Sequence, residues 1–278
     1  MKKGPMLPPR ILNIPTLRHN LQRALESKEM KVPPNRLVLD LETTGLTPYD
    51  NFIWQVGLRA MINGAAQSER GEVFYLAYPP ETLKKATFEI NRRMACQQDM
   101  SDSAQTPDER VQAGQYYKAE QEFIDEVTHN GKDPKTVLQH VADVISTYVN
   151  AGWFLCGQNF TRFDLVWLDW HFKNYGIKCD LPHERLIDTG ILIKAAQLNL
   201  IQLPHESCKT FYMRAANVRA KGVFYSLERF AVNYWGLTDK LKLDVSKEAH
   251  NAGFDAWLTD MILHELINEV LASEGVLH

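Results

Sequence analysis

Short apolar runs bounded by turn residues alternate along this chain with longer stretches in which apolar residues recur every three or four positions. Leu37-Val38-Leu39, inside Arg36–Asp40, has the length and composition of a buried strand. Phe52–Ile62 and Glu72–Tyr78 follow as two more, an initial meander. Trp153–Cys156 reads as a fourth strand and Arg185–Asp188 as a fifth. Between them, Pro134–Val149 sets Val137, Val141, Val144, Ile145 and Tyr148 at helical spacing. Further helices are expected over Phe163–Tyr175, from Asp188 through Gln197, over Ser226–Trp235 and from about Gly253 onward. Interleaved strands and helices after a meander describe an α/β domain, a mixed five-stranded central sheet flanked by helices.

The periphery reads differently. A helix-like stretch, Thr16–Met30, stops before Pro33-Pro34, so residues 1–35 form an N-terminal extension and 36–278 the main domain. Residues 81–93 look helical, while 95–133 are polar and broken by Pro107, Gly114 and Gly131, with helical character mainly from Asp108 to Val127. That segment is read as a helical insertion.

Composition narrows the field. A chain of 278 residues with 45% hydrophobic content can bury one substantial core. A formal net charge of −3 gives no general attraction to polyanions, so contact with nucleic acid must come from local patches or bound cations. Cys96, Cys156, Cys179 and Cys208 lie far apart and form no CxxC pair, which indicates neither a disulfide framework nor a zinc site. The sequence lacks both an apolar run long enough to span a bilayer and a secretory leader, so no membrane association is expected and the cytoplasm is the expected compartment.

The candidate chemistry begins at the end of the first strand. Side chains alternate along a strand, so Asp40 and Glu42 project to one side, with Val38, while Leu37, Leu39 and Leu41 occupy the other. Two carboxylates forced together repel each other unless a cation lies between them. Thr43-Thr44-Gly45 then turns the chain, with glycine expected to take an unusual backbone angle. Asp164 falls in the first turn of the helix after the fourth strand, where an acidic residue also suits the positive helix terminus. His250 and Asp255 are five residues apart and cannot share a helix face. His250 therefore belongs on a loop and Asp255 in the opening turn of the last helix, from where both can reach one centre.

Asp40-Leu41-Glu42-Thr43-Thr44-Gly45, the Asn159–Asp164 segment and His250-Asn251-Ala252-Gly253-Phe254-Asp255 occur in an order that resembles the DEDDh group of exonucleases. That group has a ribonuclease H-like fold and includes ribonuclease T, oligoribonuclease and the proofreading subunit of bacterial replicative polymerase. The resemblance spans roughly 36–270 and implies that Asp40, Glu42, Asp164 and Asp255 bind two divalent metal ions, Mg²⁺ or Mn²⁺, with His250 as general base. It implies a 3′→5′ exonuclease domain over 36–278, acting on the 3′ end of single-stranded DNA or RNA and releasing nucleoside 5′-monophosphates. Thr43, Thr44, Leu46, Asn159 and Phe163 would then receive the terminal nucleotide. A related group carries Tyr four residues before the last Asp; Asn251 stands there in this chain. Family members often have a shorter interval between the Asn and Asp of the second motif, one departure here.

A homodimer, or a replication or repair partner, is compatible with this resemblance. The competing readings are a non-catalytic nucleic-acid-binding or polymerase-associated module of the same fold, and an unrelated metal phosphohydrolase acting on small substrates. Outside the motifs, 205–222 reads as a basic loop in which Lys209, Arg214, Arg219 and Lys221 interleave with Phe211 and Tyr212, a phosphate and base-stacking surface or a solvated loop. Asp188 closes an apolar strand and is expected to support the site structurally. Trp153, Trp167, Trp170, Trp235 and Trp257 fall in predicted elements, where core packing is the expected role.

Overall fold

The computed structural model describes residues 12–85, 120–223, 225–227, 230–231 and 250–275. Most of the expected helix over 226–235, most of the helix over 81–93 and residues 95–119 of the 95–133 insertion lie outside the described residues.

The apolar runs become a mixed sheet in the order β5-β4-β2-β1-β6-β7. Its strands are β1 (Arg36–Thr43), β2 (Ile53–Ile62), β4 (Glu72–Leu76), β5 (Gly131–Lys132), β6 (Phe154–Gly157) and β7 (Leu186–Asp188), with β3 (Ala65–Ala66) paired to β2 beside that path. The sheet has seven strands rather than five. The two additions, β3 and β5, are two residues each, too short to leave a periodic signal. β1 lies centrally, antiparallel to β2 and parallel to β6, which is parallel to β7.

Among the described residues the sheet is flanked by helices α1 (Ile14–Ala24), α2 (Glu120–Asn130), α3 (Pro134–Asn150), α4 (Asp164–Tyr175), α5 (Thr189–Leu198), α6 (Cys208–Asn217) and α7 (Ala252–Ser273). Residues 80–85 are also helical. Asn13 caps α1 by accepting from Thr16 N–H, and Asp133 caps α3 by accepting from Thr136 N–H. Antiparallel partners share a face, so Leu41, Val56 and Phe74 stand together, and the Phe74 ring meets His140 of α3 at 5.1 Å. α3 therefore covers that face of the sheet, and α7 covers the other. The main core spans both layers, while Trp54, Leu83, Phe123, Ile124 and Val127 form a second cluster. α1 sends Leu17 and Leu21, both fully buried, into the main core and packs against α5 and α7.

Candidate active site

The face of the sheet beneath α7 is built by alternation. Arg36, Val38, Asp40 and Glu42 project there from β1, opposite Met61, Arg59, Gly57 and Gln55 of β2. α7 is pinned to this face at two points. Asp260 accepts from Arg36 Nε at 2.7 Å and Arg59 Nε at 3.0 Å, all three groups buried. Eight residues earlier, about 12 Å along the helix, Ala252 N–H donates to Gln55 Oε1 at 2.7 Å. A Cβ on Gly57 would lie 2.1 Å from Ala252 O, so only glycine admits the helix there. The N-terminus of α7 is thereby delivered over Asp40 and Glu42.

What arrives there is His250 and Asp255. Asn251 is the N-cap, its side chain accepting from Phe254 N–H at 3.1 Å. His250 precedes it in the left-handed region, at φ 65°. Its N–H donates to Asp255 Oδ2 at 3.2 Å, and its Nδ1 lies 3.9 Å from Glu42 Oε1. Glu42, His250 and Asp255 each offer a ligand atom within 4.8 Å of the others. The imidazole is on the loop and the carboxylate in the first helical turn, as the five-residue spacing requires.

Asp164 comes from a third direction. After β6 the chain turns at Asn159, at φ 56°, before α4 begins. Asp188 holds this turn: Oδ2 accepts from Thr161 N–H at 2.9 Å and Thr161 Oγ1 at 2.8 Å, while Oδ1 accepts from Ile191 N–H at 3.0 Å as the cap of α5. Asp188 is thus committed to structure, as its place at the strand end suggests. Asp164 is 2% exposed, and its Oδ1 is buried with no hydrogen-bond partner among the described residues.

The electrostatics record the convergence. Burial is the largest cause holding Asp40 well above the usual carboxylate range, followed by the charges of Asp164, Asp255 and Glu42. Burial likewise raises Asp164, against the hydrogen bonds of its own and Leu41's N–H, with Asp188 and Glu42 adding to the rise. Four carboxylates therefore share one poorly solvated place. Such a set, rich in hard oxygen donors and containing an unpartnered buried oxygen, fits divalent cations of the Mg²⁺ or Mn²⁺ kind.

The expected substrate contacts divide. Thr43 Oγ1 donates to Gly45 O at 2.8 Å, and Thr44 Oγ1 accepts from Phe52 N–H at 3.1 Å, so both hydroxyls brace the turn. Gly45 does not take the unusual backbone angle expected of it, and what a Cβ there would meet, at 2.3 Å, is the movable end of the Asn51 side chain. Leu46 is 70% exposed, and Asn159 Oδ1 is buried without a hydrogen-bond partner among the described residues. Phe163, beside Asp164, sets its ring 5.7 Å from that of Trp167.

The 205–222 segment is corrected. Residues 208–217 are helix α6, capped by Ser207, and Phe211 and Tyr212 are buried in the core. Tyr212 Oη donates to Leu186 O at 3.0 Å, and Arg214 holds Glu206 with two hydrogen bonds of 2.6 and 2.7 Å. Neither ring is a stacking surface for a base.

Gln55, Gly57 and Asp260 escaped sequence reasoning. A glutamine and a glycine inside the apolar run Ile53–Leu58 were the available signal, since glycine within a strand marks a close backbone approach.

The fold is the ribonuclease H-like fold found in exonucleases. No family model and no curated protein matches the chain. Among solved structures, E. coli exonuclease I in complex with a dT13 oligonucleotide is similar, with a TM-score of 0.50 and 15% identity over 87% of this chain and 42% of that one. The zinc-bound form of the E. coli exonuclease I complex with single-stranded DNA gives 0.48 and 15%, over 86% and 43%. The chain therefore spans about two-fifths of the length of the structures it matches. At this identity the likeness establishes the fold. No helix among the described residues is long and apolar enough to cross a membrane.

Proposed function

We propose that this chain is a metal-dependent 3′→5′ exonuclease that removes nucleoside 5′-monophosphates from single-stranded nucleic acid. The observation that carries the reading is the meeting of Asp40, Glu42, Asp164, Asp255 and His250, delivered by β1, α4 and the start of α7 to one buried acidic place. On this reading the four carboxylates hold two divalent ions, Mg²⁺ or Mn²⁺. When bound, such ions neutralise the carboxylates, polarise the phosphate and acidify a water molecule.

The remaining roles belong to the chain's own groups. His250 Nδ1 faces Glu42, so Nε2 takes the proton from the attacking water, and Asp255 steadies the loop through the His250 N–H. Water adds to phosphorus as the bond to the 3′-oxygen breaks; that oxygen takes up a proton, leaving a shortened strand with a 3′-hydroxyl. Asn159 and Phe163, flanking the turn into α4, and Leu46, at the β1–β2 connection, meet the terminal nucleotide. The likeness in fold to E. coli exonuclease I in complex with a dT13 oligonucleotide supports a single-stranded substrate.

The test uses purified protein and matched DNA and RNA oligonucleotides labelled at the 5′ end, with Mg²⁺, Mn²⁺ or chelator. Stepwise shortening from the 3′ end with release of mononucleotides, abolished by chelator and by a 3′-phosphate block, is the expected result. Binding without any metal-dependent release, or cleavage of small phosphate esters alone, overturns it.

A further inference from the structure

Trp170 departs from the packing role expected of the chain's tryptophans. It is half-buried on α4, and the Tyr49 ring stands edge-on against it, centroids 4.7 Å apart at 77°. Tyr49 itself is 68% exposed, an uncommon setting for an aromatic ring. Val166, four residues before Trp170 on α4, is 42% exposed, and Leu46, three residues before Tyr49, is 70% exposed.

Phe163, the N-cap of α4, and Trp170 are seven residues apart, which at about 100° per residue returns them to one line, roughly 10 Å apart along the axis. Phe163 directly precedes Asp164. In the β1–β2 connection, Thr43 directly follows Glu42, and the chain reaches the exposed Tyr49 six residues later. Both segments therefore lead along the chain from a carboxylate of the site to the Tyr49–Trp170 contact. The Asp169 carboxylate beside Trp170 is engaged by Lys173 at 2.6 Å.

We propose that Tyr49 and Trp170 form a stacking platform for a base of the single-stranded substrate, upstream of its 3′-terminal nucleotide. At a stacked spacing of about 3.4 Å per nucleotide, the platform lies roughly three nucleotides from the terminal one. A net charge of −3 gives no overall attraction to the phosphate backbone, so stacking adds to what local basic patches and bound cations supply. An aromatic face accepts any base, which makes the platform indifferent to sequence. The inference rests on the exonuclease reading and extends it to substrate length.

The experiment compares wild type with Tyr49→Ala, Trp170→Ala and Tyr49→Phe. Affinity for a single-stranded 12-mer is measured by fluorescence anisotropy in chelator, and turnover of a dinucleotide and of the 12-mer in Mn²⁺. The alanine variants are expected to bind the 12-mer at least about fivefold more weakly, to turn over the dinucleotide like wild type, and Tyr49→Phe to match wild type throughout. Retained dinucleotide turnover also shows that a variant is folded. Unchanged 12-mer affinity in both alanine variants overturns the platform, as does an equal loss on dinucleotide and 12-mer. A change of oligomeric state in Tyr49→Ala with unchanged 12-mer affinity assigns the patch to a protein contact instead. Failure of wild type to bind or shorten any oligonucleotide defeats the exonuclease reading itself, a separate outcome.

Discussion

Replacing Asp164 by Asn distinguishes a carboxylate held for a cation from one held for the fold. Asp164 is 2% exposed, Oδ1 finds no hydrogen-bond partner among the described residues, and burial, then the Asp188 and Glu42 charges, raise its pKa. Without metal, its ionised form is a cost to the folded state. Asn keeps the shape, removes the charge and turns an amide donor toward acidic neighbours. Relieving a buried unsatisfied group is worth about 1–3 kcal/mol, or roughly 2–12 °C of melting temperature at about 2–4 °C per kcal/mol. The sign follows from linkage: the folded chain binds a proton at Asp164 more tightly than the unfolded chain. Its favourable contribution is therefore complete below the unfolded pKa of about 3.9 and is lost as pH rises through the raised folded pKa. The advantage of Asn thus appears at neutral pH and narrows on acidification. Wild type recovers stability by binding cations, about 2.7 kcal/mol at a hundredfold excess over Kd. Differential scanning calorimetry in chelator and in Mn²⁺ is the assay, run beside nucleotide release. The variant is expected to melt higher than wild type in chelator, to gain little from Mn²⁺ and to lose turnover. A lower melting temperature in chelator together with an undiminished Mn²⁺ shift would refute the reasoning and make Asp164 structural.

Three further substitutions probe the neighbouring parts. His250→Ala should slow nucleotide release by about 10²–10⁴-fold while retaining oligonucleotide affinity; single-turnover rates within threefold of wild type would remove His250 from its role. Gln55→Leu strands the Ala252 N–H and loosens the seat of His250 and Asp255, with an expected loss of up to about 10²-fold in kcat and a weaker response to Mn²⁺. Unchanged kcat in that variant would show that the docking at Gly57 suffices. Asp260→Ala leaves the buried guanidinium groups of Arg36 and Arg59 without their carboxylate, a cost of about 3–5 kcal/mol. Urea denaturation at constant slope should show it, and a change below about 1 kcal/mol would contradict the pinning of α7.

The elements with long apolar periods were legible: β1, β2, β4, β6 and β7, and helices α3, α4, α5 and α7 begin or end within a few residues of their expected positions. Two-residue strands carry no period. α6 was obscured by its charges, because Lys209 and Arg214 drew attention from Cys208, Phe211, Tyr212 and Ala215, which keep helical spacing, and from the capping Ser207. At the candidate site, the carboxylates and the imidazole could be named because their residue types are costly without a purpose. Gln55 and Asp260 could not, since each acts through a partner about 200 positions away in sequence. The Tyr49–Trp170 contact was out of reach for a related reason: only the folded β1–β2 connection brings the two rings together.

The two-point attachment of α7 also orders events during synthesis. A nascent polypeptide that has emerged only to residue 249 has Asp40, Glu42 and Asp164, yet neither the imidazole nor the fourth carboxylate. On the exonuclease reading, cleavage competence then waits until α7 is made and seated, however early the first three carboxylates are in place.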